Sequence, residues 1–281
     1  MAETGRAARI VLLSDVHGLA GPKRVAAAAI RDLAEGPGLD AVVLEVPSSE
    51  QPWIDAYLAR REEDASALLA RPTAVHEAEG QARAYLEIYR EVRRVNAEVG
   101  AARRIRVIAA DVDDWPPPEG AAPQDVATRY ASRAEHMLTR MDEEILSIMP
   151  EARLLVFVDG YMALRGGFGE LRLAGGASRR VTWLGDLLRQ RSGPDARTVL
   201  IDAGGTTGTV ERLPRYRGTR LHRPLGRELD GPAGTRVTDA FEAVADPVLE
   251  LSSPGLRLEI LPVGYTLDDV ADGYIYLEGG R

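Results

Sequence analysis

Short apolar runs alternate with helical segments along this chain, and this alternation constrains the fold more than any other feature. An apolar run without polar alternation is typical of a strand covered on both faces. Five such runs predict buried strands: Ile10 to Leu13, Ala41 to Val46, Arg104 to Ala110, Arg153 to Val158 and Thr198 to Ile201. The first two, with the helix between them, form a β-α-β unit and predict a pair of neighbouring parallel strands.

The segments between these runs predict helices. Pro22 to Glu35 begins with a proline and stops at a glycine-rich break, and Thr182 to Gln190 is a shorter helix. Residues 49–101 predict a helical insertion within one domain that spans residues 1–281. In the helix predicted over Pro123 to Met149, apolar side chains recur every three or four residues as far as Ile148.

These elements predict an α/β fold, with a mostly parallel mixed sheet, helices on both faces and a helical insertion. Beyond Gly208 the pattern weakens to two short predicted strands, Arg257 to Leu261 and Tyr274 to Leu277. Such sheets place their binding sites beyond the carboxyl ends of the strands, so the loops there are the candidate site.

Composition excludes several classes of function. The chain of 281 residues contains no cysteine, which removes disulfides, thiolate nucleophiles and cysteine-based zinc sites. A net charge of −8 with scattered basic residues argues against a nucleic-acid partner. The apolar runs are far shorter than a membrane span, and no apolar signal segment opens the chain, so we expect a cytoplasmic protein without membrane contact. The oligomeric state stays open.

Acidic side chains and a histidine follow the first two predicted strands. Asp15 and His17 stand in the loop after the first strand, and Glu45 follows the run of the second. The carboxylate of Asp15 can orient the imidazole of His17, which would then act as a general base. A carboxylate at the end of a buried strand is costly unless it is paired or poised for proton transfer, so we expect Glu45 beside His17. Ordinary loop hydrogen bonds are the alternative for Asp15 and His17, and capping of the next segment or pairing with an arginine is the alternative for Glu45.

Two other motif readings are weaker. The Asp-x-His string also opens metallophosphoesterases, but their later Gly-Asp and Gly-Asn-His loops are absent, so a dinuclear metal site is not expected. The segment Asp202 to Gly208 resembles the phosphate-binding loop of sugar kinases. That loop normally opens a chain within a hairpin, whereas this segment follows the fifth strand, so a plain turn is favoured.

The order of the motifs resembles the erythromycin esterase / ChaN-like superfamily, which includes the TIKI metalloproteases. That family opens with a Gly-Glu-x-(x)-His loop, continues with a strand ending in Leu-Glu and a strand with an acidic end, and has a later helix with Arg-x-x-x-Met. The corresponding positions here are Ser14 to His17, Leu44 and Glu45, Asp111, Arg133 and Met137, and the loop Asp159 to Arg165. The resemblance covers nearly the whole chain.

The resemblance implies different chemistry in different branches. In the esterases, a histidine and a glutamate activate water against a macrolactone carbonyl. In TIKI-type members, two Gly-x-x-His motifs and a glutamate bind a metal, and ChaN is a haem-binding lipoprotein. Here Asp15 replaces the usual glutamate, and the second histidine is missing from the segment Gly160 to Ala163. We therefore expect no metal.

Together, the residues and the resemblance predict a metal-independent hydrolase-like enzyme that acts on an ester, lactone or amide. The substrate would be a small molecule or a modified peptide, in specialised metabolism, and no cofactor is expected. His17 would be the general base with Asp15 orienting it, Glu45 a second acid/base, and Tyr161 a hydrogen-bond donor to the oxyanion. The residues expected to bind the substrate are Arg133, Arg165, Asp111 and Lys23, the alternative for the lysine being a position facing solvent.

Three alternatives remain open. Elimination would use the same base and need less of an oxyanion site. A protein whose site has decayed would bind haem or another small ligand without turnover. An accessory subunit of a biosynthetic complex would dock a partner through the helical insertion.

Overall fold

A computed structural model describes residues 2–15, 19–60, 64–69, 81–100, 103–115, 117–118, 120–166, 168–202, 215–216, 242–244, 249–250, 256–261, 265–266 and 270–277. The strands are β1 (Ile10–Asp15), β2 (Ala41–Pro47), β3 (Arg106–Asp111), β4 (Leu154–Asp159), β5 (Phe168–Leu173), β6 (Ser178–Val181), β7 (Ala196–Asp202), β8 (Arg215–Tyr216), β9 (Glu242–Val244), β10 (Leu249–Glu250), β11 (Leu256–Leu261), β12 (Tyr265–Thr266) and β13 (Gly273–Tyr276). The helices are α1 (Ala2–Ala7), α2 (Ala20–Glu35), α3 (Gln51–Ala59), α4 (Ser66–Leu69), α5 (Gln81–Glu98), α6 (Pro123–Met141) and α7 (Leu184–Ser192).

The central sheet has six strands in the order β13-β7-β1-β4-β2-β3. All of its pairings are parallel, and the antiparallel pairs belong to two smaller sheets, β10-β11-β5-β6 and β12-β9-β8. The predicted α/β fold with a mostly parallel sheet is confirmed, and each of the five predicted buried strands is present. No described helix is both long enough and apolar enough to cross a membrane.

Helices cover the central sheet on both faces, and the strand side chains alternate between them. Ile10 and Leu12 of β1 pack with α6 and α7, whereas Val11 and Leu13 pack with α2 and α5. Because both faces are covered, every residue of β1 and β2 is buried.

The order of the strands differs from the sequence prediction at one place. The β-α-β pattern predicts that β1 and β2 are neighbours, and this prediction is wrong, because β4 lies between them and pairs with both. The apolar run of β4 is buried on both faces, as an interior position requires. Glu45 is therefore one strand further from the end of β1 than expected.

The strand β3 forms one edge of the central sheet, and two side-chain amides pair with its free side. Gln51 donates from Nε2 to the carbonyl of Val107 at 2.8 Å and accepts the backbone N–H of Ala109 at 2.8 Å. Asn96 makes the same pair of bonds with Ile105, at 2.9 and 2.7 Å. Both amides come from the helices between β2 and β3.

An ionic contact holds α5 against α2. Arg31 of α2 donates two hydrogen bonds to Glu91 of α5, at 2.9 and 3.0 Å, and Arg94 contacts the same carboxylate. Burial alone would raise the pKa of Glu91, but the hydrogen bonds from Arg31 and Arg94 lower it to about 2. This contact holds α5 in place, and the side chain of Tyr85 extends from α5 toward the sheet.

One prediction about local structure is wrong, and one hairpin is absent from the predictions. The helix predicted to reach Met149 ends as an α-helix at Met141 and continues as a π-helical turn over Asp142–Leu146. Ile148 therefore leaves the buried stripe and is 72% exposed. The hairpin of β5 and β6 was not predicted, since most positions of β6 are exposed and polar.

The start of α7 packs directly on the chain that leaves β4. The backbone N–H of Gly185 donates to the carbonyl of Met162 at 2.9 Å, and a Cβ at Gly185 would overlap the carbonyl oxygens of Ala163 and Leu164. Because these are backbone atoms, the overlap cannot be relieved by rotating a side chain.

We expect Gly185→Ala to lower the free energy of unfolding by about 3 kcal/mol, because the helix must move away from the chain that follows β4. Gly175→Ala in the β5–β6 turn is the control, since a Cβ there meets nothing within 4 Å. Urea denaturation followed by circular dichroism measures both. Equal stability of the two variants would contradict the close packing at Gly185.

Candidate functional site

Four carboxylates stand at the carboxyl ends of four neighbouring strands. Asp15 ends β1, Asp159 ends β4, Asp111 ends β3, and Glu45 lies two residues before the end of β2. Asp15 and Asp159 are register partners in the parallel pair of β1 and β4. Parallel strands end at the same edge of a sheet, so the four acids share one edge, where open α/β sheets place their ligands.

Arg133 of α6 binds two of these carboxylates. Its Nε donates to Oδ1 of Asp111 at 3.0 Å and its Nη2 donates to Oδ2 of Asp111 at 2.5 Å, while Nη2 also donates to Oε1 of Glu45. The side chain is only 4% exposed, and the ring of Trp115 lies over the guanidinium with its centroid 4.6 Å from Cζ. Burial would lower the pKa of Arg133, but the charges of Asp111 and Glu45 raise it well above its usual value.

Glu45 joins this ion pair to the central strand β4. Its Oε1 accepts from Arg133, and its Oε2 accepts the backbone N–H of Asp159. Both carboxylate oxygens of Glu45 are therefore engaged, and Arg133 and Glu45 together connect the ends of β2, β3 and β4. The arginine pairing named as the alternative for Glu45 is present.

Asp15 has a separate buried partner on the other face of the sheet. Its Oδ1 lies 2.7 Å from Nζ of Lys23, and neither side chain is exposed to solvent. The hydroxyl of Tyr85 donates to Oδ2 of Asp15 at 3.4 Å. Burial first, and then the charges of Asp15 and Glu45, raise the pKa of Tyr85 well above its usual value, so this hydroxyl stays protonated. The alternative that Lys23 faces solvent is wrong.

Asp159 was not among the site residues named from the sequence, although it directly follows an apolar run as Glu45 does. Its Oδ1 accepts the backbone N–H of Tyr161 at 2.9 Å. Of the four strand-end acids, only Asp159 is partly exposed, while the others are buried. Burial, and next the charge of Asp159, raise the pKa of Tyr130 above its usual value, which places the Tyr130 hydroxyl in the field of this acid.

The remaining site residues named from the sequence are dispersed. The ring of Tyr161 stacks on Trp183 at 6.1 Å and is 5% exposed, within the core on the α6 and α7 face. Arg165 pairs with Asp272, which accepts the backbone N–H of Thr198 at 2.9 Å. Thr198 is level with the middle of β1, so this pair lies away from the carboxyl edge.

His17 lies outside the described residues, as does most of the segment from Asp202 to Gly208. The described contacts of the two acids are with different helices: Asp15 contacts Lys23 of α2 and Tyr85 of α5, whereas Glu45 contacts Arg133 of α6. Within the described part of the chain, no group of three or more histidine, aspartate or glutamate side chains is arranged to hold a metal ion.

Comparison with known proteins finds similarity in fold only. No protein-family model matches the chain, and no curated protein sequence matches it. A mutant of the erythromycin esterase EreC in its open conformation superposes with a TM-score of 0.65 at 11% identity, covering 99% of this chain and 92% of that one. A Bacillus cereus protein gives 0.58 at 12% identity, covering 98% and 90%. A succinoglycan biosynthesis protein gives 0.57 at 9% identity, covering 98% and 89%.

These superpositions extend over almost the entire length of all three structures. The chain therefore has an erythromycin esterase-like α/β fold, which agrees with the resemblance drawn from its motifs at the level of architecture.

We expect Arg133→Met to lower the free energy of unfolding by about 3–5 kcal/mol, because it leaves Glu45 and Asp111 buried without their cation. Arg129→Met is the matched control on the same helix, since Arg129 pairs with the half-exposed Asp114 and such pairs contribute at most about 1 kcal/mol. Urea denaturation at pH 7 measures both. Similar losses of unfolding free energy in the two variants would show that the buried contact of Arg133 with Glu45 and Asp111 contributes no more than an exposed ion pair.

Proposed function

We propose that this chain is a hydrolase-type enzyme whose site lies at the carboxyl edge of the central sheet. The observation that carries the proposal is the set of four strand-end carboxylates with two buried cations among them. Buried charges are costly to maintain, and charged groups concentrated in the crevice of an α/β sheet are typical of functional sites. The fold similarity to an erythromycin esterase supports an ester or lactone of a small molecule as substrate, with an amide or a modified peptide as the wider class.

His17 is the general base in this proposal. It stands two residues after Asp15 in the sequence, and Asp15 ends β1 at the carboxyl edge. The imidazole takes a proton from water while the water oxygen bonds to the carbonyl carbon. The tetrahedral intermediate then collapses, the bond to the leaving group breaks, and the leaving group receives that proton from the imidazolium.

Arg133 and Lys23 have a positioning role in this proposal. Both were expected to bind the substrate, but each contacts carboxylates of the protein and is buried. A cation that neutralises a buried acid keeps the strand ends in place before the substrate arrives. Such preorganisation lowers the cost of reaching the transition state.

We expect His17→Ala to reduce kcat/KM for 4-nitrophenyl butyrate and for a macrocyclic lactone by about 10²–10⁴-fold, the usual contribution of a general base. His136→Ala on α6 is the matched control and keeps the activity of the unaltered protein. Thermal unfolding verifies that both variants fold. Full activity of His17→Ala would refute the proposed role of the imidazole.

A further inference from the structure

We propose that Trp115 binds the apolar part of the substrate and thereby determines which esters or lactones the site accepts. This inference rests on the proposed function, because it names the substrate class of the same site: an ester whose acyl chain or lactone ring presents a broad apolar surface. Trp115 is not among the site residues named from the sequence, and its role follows from its position beside Arg133.

The loop that follows β3 carries Trp115 to the carboxyl edge of the central sheet. β3 ends at Asp111, and Trp115 stands four residues later. Cζ of Arg133 lies 4.6 Å from the centroid of the indole ring, and the same guanidinium binds Asp111 and Glu45. The indole is therefore directly beside the ionic contacts of the candidate site.

Trp115 and Tyr130 form an aromatic wall at this place. Their ring centroids are 5.3 Å apart and the ring planes make an angle of 63°, an edge-to-face arrangement that aromatic pairs prefer. Tyr130 is 5% exposed, whereas Trp115 is only partly buried. The wall thus has an inner member anchored in the core and an outer member in contact with solvent.

Contacts of two neighbouring acids hold the loop that carries Trp115. Asp113 accepts the hydroxyl of Ser48 at 2.8 Å and the backbone N–H that follows it in the chain at 2.6 Å. Asp114 pairs with Arg129 of α6. The loop is thereby tied to the segment after β2 and to α6, so the indole is in place before a ligand arrives. A surface ordered in advance binds a ligand at a lower cost in entropy.

The surroundings of Trp115 favour an apolar ligand. The charges nearest to the indole are buried, because Arg133 binds both Glu45 and Asp111. The indole itself offers an apolar surface, and aromatic side chains supply much of the apolar contact area in small-molecule sites. A hydrocarbon chain or the hydrocarbon face of a lactone ring matches this chemistry. The competing role is purely structural, with the indole serving only to cover the ionic contacts.

The first test measures binding without turnover. Cyclododecanone, a macrocyclic ketone, presents the apolar ring of a lactone but has no ester bond to cleave. The readout is the fluorescence of the three tryptophans of the chain. We expect the ketone to shift the emission of the unaltered protein to shorter wavelength, because its ring displaces water from the indole of Trp115. We expect Trp115→Phe to abolish this shift.

Trp53→Phe is the matched control. Trp53 is 41% exposed and belongs to α3, whose Ile54 and Tyr57 pack in the core on the α2 and α5 face. We expect this variant to keep the shift and its dependence on ketone concentration. A shift that is unchanged in Trp115→Phe, or that is absent from the unaltered protein, overturns the inference.

The second test compares two esters that differ only in the acyl chain, 4-nitrophenyl acetate and 4-nitrophenyl hexanoate. We expect Trp115→Ala to raise KM for the hexanoate about 10-fold and KM for the acetate less than about twofold, because only the longer chain loses apolar contact. Trp115→Phe keeps a ring over the guanidinium and replaces the first variant if that does not fold; we expect an intermediate KM. Equal changes for both esters would assign Trp115 the structural role alone and overturn the inference.

The two proposals fail in different ways. Full activity of His17→Ala overturns the proposed general base, and the emission test still decides whether an apolar ring binds at Trp115. Loss of activity in His17→Ala, together with an unchanged preference for the hexanoate in Trp115→Ala, overturns the role of Trp115 alone.

Discussion

The guanidinium of Arg133, buried between Glu45 and Asp111, is the interaction on which the architecture of the carboxyl edge depends. Moving one cation and two acids out of water is costly, and only close, well-directed hydrogen bonds offset that cost. Arg133 meets this requirement with a two-point contact to Asp111 and a further bond to Glu45. Because Glu45 also accepts the backbone N–H of Asp159, one side chain of α6 sets the relative positions of three strand ends.

Lys23 and Asp15 repeat this arrangement on the opposite face. The edge therefore contains two buried ionic contacts: the pair of Lys23 with Asp15 under α2 and α5, and Arg133 with both Glu45 and Asp111 under α6. Asp159 lies on the strand between them.

The sequence alone predicts where the strands lie along the chain, but it does not predict which strands are neighbours in the sheet. A strand covered on both faces is apolar at nearly every position. The apolar runs of β1, β2 and β4 can therefore be recognised in the sequence. The acids are visible for the same reason, because each follows directly on such a run. The order of strands is set by long-range packing, and the insertion of β4 between β1 and β2 leaves no local trace in the sequence.

The same limit explains why the acids pair as they do. Asp15 continues the series Val11 and Leu13, which faces α2 and α5, whereas Glu45 continues Ala41 and Val43, which faces α6. Alternation along each strand determines which face of the sheet a side chain is on. Which partners it meets there depends on which helices cover that face, and this is known only from the structure. Arg133 was recognised as a site residue from its motif. Its burial and its two acidic partners became evident only from the packing of α6 on the end of β3.

The amides of Gln51 and Asn96 have a consequence beyond local pairing. An unpaired edge strand presents a row of backbone donors and acceptors that a second molecule can extend into a continuous intermolecular sheet, the first step of aggregation. Side chains occupy those groups at Val107 and Ala109 of β3 and at Ile105, which directly precedes it. The chain thus blocks strand addition along this margin, and it does so with two polar residues in place of a further strand.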